Sequence, residues 1–113
     1  MHTENNEPNY SYYKEFNTRH EMYTHCVEII IKLKNNKKFY IGITYNPTDR
    51  LKDHIEEKNM KIMHVLTKTK TKDQTLKLEQ ELIERFDIKN NINQSGGGEG
   101  IEYDENYIYV LFY

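Results

Sequence analysis

From His25 to Leu33 the apolar residues Val27, Ile29, Ile31 and Leu33 fall on every second position. That is the period of a strand with one face turned inward. The "KNNK" that follows carries two asparagines suited to a tight turn. Lys38–Thr44 then reads as the return strand, so the pattern predicts an antiparallel hairpin. Asn46 is placed to cap a helix, Pro47 suits its first position, and Asp49 lies near the positive end of its dipole. This helix should run to about Lys58 with Leu51 and Ile55 inward. "MKIMHVLTK" is a third strand segment. Thr71, with Gln74 three positions on, opens a second helix that reaches Phe86. "NNINQSGGGEG" is a loop, and "NYIYVLFY" closes the chain as a late strand. The order predicts an α+β fold: a small, three-stranded, mostly antiparallel sheet flanked by helices. Residues 1–24 are read as a polar N-terminal arm, with the domain proper over 25–113.

Two positions do not fit this simple pattern. On a wheel of the second helix, Leu76, Leu78, Leu82, Ile83 and Phe86 fall in one arc, and Glu79 falls in its middle. A carboxylate buried there without a partner costs several kcal/mol or takes up a proton. Glu79 therefore calls for an ion-pair partner, a hydrogen-bond network or a metal ion at the mouth of a cleft. The other position is Gly42. On the return strand Lys38, Tyr40, Gly42 and Thr44 share a face, and the glycine leaves a hollow beside the Tyr40 ring. Interior strand glycines mark the close approach of a ligand or another backbone. Arg50 and His54, at i and i+4, share one edge of the following helix. A phenol, a guanidinium and an imidazole thus converge near one end of the predicted hairpin. Together with a carboxylate for Mg²⁺, they form a coherent set for phosphate chemistry.

Composition narrows the classes. The chain has 113 residues, of which 30% are charged, and its formal net charge is -2. This length fits one domain. The single cysteine, Cys26, excludes an intramolecular disulfide and makes a reducing, intracellular setting the expectation. No apolar run reaches the roughly 18–20 residues of a membrane span, and the N-terminus lacks signal-peptide order. The slight acidity argues against a free-standing nucleic-acid binder. A local basic patch remains between Arg50 and Lys72, which includes Lys52 and Lys58. Asn, Lys, Ile and Tyr, all with AT-rich codons, point to an AT-rich source genome such as that of a large virus or a protist parasite. The glycine loop is not followed by Lys-Ser/Thr and so is not a phosphate-cradling P-loop.

The ordered set resembles the GIY-YIG nuclease family. The residues that carry this are "YIG" at Tyr40–Gly42, Arg50, His54, Glu79 within "LEQELIERF", and an asparagine ahead of a glycine-rich loop, "NINQSGGG". The resemblance implies a metal-dependent endonuclease that hydrolyses nucleic-acid phosphodiesters, DNA above all, with a single Mg²⁺ or Mn²⁺ on Glu79. It implies Tyr40 beside the scissile phosphate as proton acceptor, Arg50 on the phosphate, His54 as a site histidine, and Asn93 (or Asn91) as the motif asparagine. Lys38, Gly42, Lys52 and Asn93 are the expected nucleic-acid contacts, and Lys38 is one cation expected to lower the Tyr40 phenol. One departure is plain. Where the family's first motif offers a tyrosine, ten or eleven residues before Tyr40, the chain reads "VEIII". Tyr23 is a conceivable substitute. The competing readings are a degenerate domain that binds nucleic acid without cutting it, and a protein-interaction module. No separate DNA-reading domain fits in the chain, so specificity would come from a partner or from the site's own loops.

Overall fold

Thr18 starts a helix where alternation had predicted a strand. In the computed structural model of the protein, which describes residues 6–86 and 101–113, helix α1 spans Arg19–Lys34. A capping box opens it: the Thr18 hydroxyl accepts from the Glu21 N–H at 3.2 Å, and the Glu21 carboxylate accepts from the Thr18 N–H at 3.2 Å. Met22, Cys26 and Ile30, spaced by four, are fully buried, whereas Ile31 is 48% exposed. The helical period therefore overrides the two-residue alternation of the β-branched run. Asn35 and Asn36 take up left-handed backbone, with φ of 34° and 64°. They end a helix rather than turn a hairpin. The expected hairpin of 25–33 with 38–44 does not form, and the expected boundary at residue 24 falls inside α1.

The remaining elements follow the pattern closely. They are β1 (Phe39–Thr44), α2 (Pro47–Lys58), β2 (Ile62–Lys68), α3 (Lys72–Arg85) and β3 (Tyr107–Phe112). Asn46 caps α2 by accepting from the Asp49 N–H at 3.2 Å. Thr71 caps α3 by accepting from the Gln74 N–H at 3.1 Å, and the Gln74 side chain accepts from the Lys70 N–H at 2.8 Å.

The sheet is three-stranded and antiparallel, as expected, but its order is β1-β3-β2. The C-terminal strand is thus central, and β1 pairs with it instead of with a preceding segment. Gly42 lies opposite Tyr109, Tyr40 opposite Leu111, and Thr44 opposite Tyr107. The N-terminal arm runs beside β2: Asn9 donates to the Met63 carbonyl and accepts from the Val65 N–H, at 2.8 and 2.9 Å. Such cover protects a sheet edge.

Alternation along β3 divides the core in two. Ile108, Val110 and Phe112 point to the face covered by α1 and α3, where they meet Met22, Ile30, Leu78 and Leu82. Tyr109 and Leu111 point to the other face and pack with Leu51 of α2, beside Tyr40 and Ile55. No helix among the described residues is long and apolar enough to cross a membrane.

Candidate active site

The site forms on the α2 face of the sheet. Tyr40 reaches it from β1 and is half-buried. One helical turn along α2, His54 is only 3% exposed. Its ring lies 5.0 Å from that of Tyr40, centroid to centroid. The hollow expected over Gly42 is filled by the Tyr109 ring, which is 1% exposed. A Cβ on Gly42 would overlap the Oη and Cζ atoms of Tyr109, so glycine is what lets β1 lie against this phenol of the central strand. Gly42 is therefore covered by the Tyr109 ring on this face of β1. Tyr109 stacks on Tyr40 at 6.4 Å, and its Oη is 2.7 Å from His54 Nε2. Tyr109 is the member that the sequence pattern missed. It lies far along the chain from the other motifs, and the available signal was the pairing of a bulky residue opposite an interior strand glycine.

Burial pushes the His54 imidazole down to about 4, with the Lys58 and Arg50 cations adding to the effect and Asp53 opposing it. At neutral pH the ring is uncharged. Its Nδ1 is closed to solvent and has no hydrogen-bond partner among the described residues. Burial drives the Tyr109 phenol far above its ordinary range, with Tyr40, Glu79 and Asp53 raising it further and Arg50 opposing. It keeps its proton. Tyr40 of β1, Arg50 of α2 and Glu79 of α3 are among the ionisable groups whose charge bears on this buried phenol.

Arg50 is exposed on α2. Its contact with Asp53, at 4.0 Å and with both side chains about half exposed, is worth little, so a phosphate can compete for the guanidinium. Glu79 is 4% exposed and is the one buried carboxylate among the described residues. Beside it Leu78, Leu82, Ile83 and Phe86 are buried as the wheel predicted, but Leu76 is 41% exposed. The ammonium over the Tyr40 ring is that of Lys58, 5.3 Å from the centroid, in cation–π geometry. Lys38 and Lys52 are exposed. Asn93 and Asn91 lie outside the described residues.

Residues 26–93, more than half of the chain, match the GIY-YIG catalytic domain. The chain belongs to the GIY-YIG family. No curated protein and no solved structure matches it significantly. Membership makes this GIY-YIG chain one of a family of nucleases and implies that it binds nucleic acid. The family's nucleases use a divalent metal ion. A hard cation of the Mg²⁺ type keeps several waters and takes one or two carboxylates plus substrate phosphate oxygens. The buried carboxylate of Glu79 has the chemistry of such a donor, and no group of three His, Cys, Asp or Glu side chains with metal-holding geometry occurs among the described residues.

Proposed function

We propose that the protein is a Mg²⁺-dependent endonuclease that hydrolyses DNA phosphodiester bonds at the surface formed by Tyr40, Arg50 and Glu79. The supporting observation is the match of residues 26–93 to the GIY-YIG catalytic domain, with Tyr40 packed against His54 and Tyr109 at centroid distances of 5.0 and 6.4 Å. Tyr40, half-buried, accepts a proton from the attacking water. Negative charge developing on its oxygen is favoured by the Lys58 ammonium, 5.3 Å from the ring centroid. Arg50 makes bidentate hydrogen bonds to the non-bridging oxygens. Glu79 would hold the divalent ion, which supplies Lewis-acid stabilisation of the phosphate and of the leaving oxygen. His54, buried and neutral, backs the Tyr40 ring instead of meeting substrate. Lys38, just before β1, and Lys52, midway along α2, are exposed and contribute sequence-independent phosphate contacts.

Linear, flapped and branched DNA incubated with the protein, with Mg²⁺ or with chelator, tests this reading. The wild type should cut at least one substrate only when Mg²⁺ is present. Arg50→Ala should cut it on the order of 10²–10³ times more slowly. Salt-sensitive binding without product from any substrate would instead make the protein a GIY-YIG domain that binds nucleic acid and leaves it intact.

A further inference from the structure

The β1 strand has its tyrosine at Tyr40. Of the described residues upstream of it, Tyr13 of the N-terminal arm borders the same core, with its hydroxyl donated to Glu15, whereas the segment just before β1 does not reach that face. Residues 25–33 lie in helix α1, and Tyr23 packs against the core on the opposite side of the sheet. The phenol that stands beside Tyr40 comes from β3, beyond the matched residues 26–93. It is buried, its oxygen is 2.7 Å from His54 Nε2, and Gly42 opposite it has no side chain to obstruct it. We propose that Tyr109, delivered by the C-terminal central strand, is a positioning residue of the active site that acts through His54. Its hydroxyl donates to Nε2 and holds the neutral imidazole in the Nδ1–H tautomer, with the ring fixed behind Tyr40.

The direction of that hydrogen bond follows from satisfying buried groups. If Tyr109 donates, its only proton is paired, and one buried donor, Nδ1–H, is left over. If Nε2–H donated instead, the phenol proton would have no acceptor among the described residues, and the Nδ1 lone pair would be orphaned as well. An unmet buried polar group costs about 1–3 kcal/mol, so the first arrangement is favoured. The protonation states agree: the imidazole is neutral at pH 7, and the phenol keeps its proton. The ring is then clamped between Tyr109 and Tyr40, at centroid distances of 5.7 and 5.0 Å. Loss of the Tyr109 oxygen frees it to change tautomer and tilt, and Tyr40 loses its backing.

This inference rests on the nuclease reading, and the test separates the two. Tyr109→Phe removes a single oxygen, and Tyr107→Phe removes one from the same strand face, two residues away. Long-range ¹H–¹⁵N spectra of the histidine rings report the His54 tautomer, and single-turnover cleavage reports the rate. Tyr109→Phe should shift His54 away from a single Nδ1–H tautomer and lower kcat on the order of 10–100-fold, with KM little changed. Tyr107→Phe should alter neither. A Tyr109→Phe protein with the wild-type rate, or one that is slower with the His54 tautomer unchanged, would overturn the proposal. So would a wild-type His54 found as Nε2–H. A wild type that cuts nothing would remove the nuclease reading, while the spectra would still decide whether Tyr109 holds His54. Thermal melts of both variants exclude loss of fold as the cause of a rate change.

Discussion

At the scale of single residues, the site depends on two buried groups whose ionisation is suppressed. His54 titrates near 4 in the folded protein against an ordinary value of about 6.5 unfolded. A base whose folded value is depressed makes the unfolded state bind more protons between those values. Stability is therefore fully present above about pH 6.5 and falls as the pH drops toward 4. Urea titrations at pH 7 and pH 5 should show the wild type losing about 2 kcal/mol more than His54→Phe does. An equal loss in both proteins would mean that His54 is not buried as described. Gly42 yields a second residue-scale prediction. Gly42→Ala pushes a methyl group into the Tyr109 ring, which the central strand cannot easily move aside. It should cost on the order of 1–3 kcal/mol in a chemical denaturation experiment. Gly42 was legible in the sequence as a misfit, and His54 as sharing one edge of α2 with Arg50. What filled the space beside Gly42 was not, because a strand's register partner is fixed by tertiary pairing and leaves no local trace.

At the scale of elements, α2 and α3 were readable because their caps and their apolar spacing agree. Asn46–Pro47 and Thr71–Gln74 mark helix starts, and Leu51, Leu78 and Leu82 follow at helical intervals. α1 was misread because "VEIIIKL" satisfies a period of two as well as one of 3.6, and β-branched residues favour the strand interpretation. The deciding signals lay outside the alternating window: the Thr18–Glu21 capping box and Met22, four residues before Cys26. Thr18→Ala should therefore cost about 1 kcal/mol, and Ile30→Ala about 2–5 kcal/mol, both read from denaturation midpoints. A neutral Thr18→Ala, with a stability change seen instead at the exposed Ile31, would favour a strand over 25–33.

At the scale of the whole molecule, the protein closes its sheet with its last strand. β3 pairs with both β1 and β2, and its side chains enter both cores. The matched segment 26–93 therefore lacks the strand that joins the other two. A chain ended after residue 100 should show no cooperative thermal transition, whereas the full chain should unfold as a single unit. The expected sheet had the right size and the right antiparallel sense, but the wrong partner for β1. Pattern and spacing locate elements, and long-range pairing then chooses among the arrangements they permit. The net charge of -2 also belongs to this scale. DNA affinity should depend on only a few phosphate contacts, and its log–log salt slope should be correspondingly shallow.

The central claim is that groups from β1, α2 and α3 act as one phosphodiester-cleaving centre with the metal on Glu79. Single-turnover cleavage of one DNA substrate during a Mg²⁺ titration, wild type beside Glu79→Gln, tests it most directly. Glu79→Gln should bind the DNA as the wild type does, and its cleavage should be lost or should require far more Mg²⁺. Superimposable titration curves for the two proteins would contradict the account.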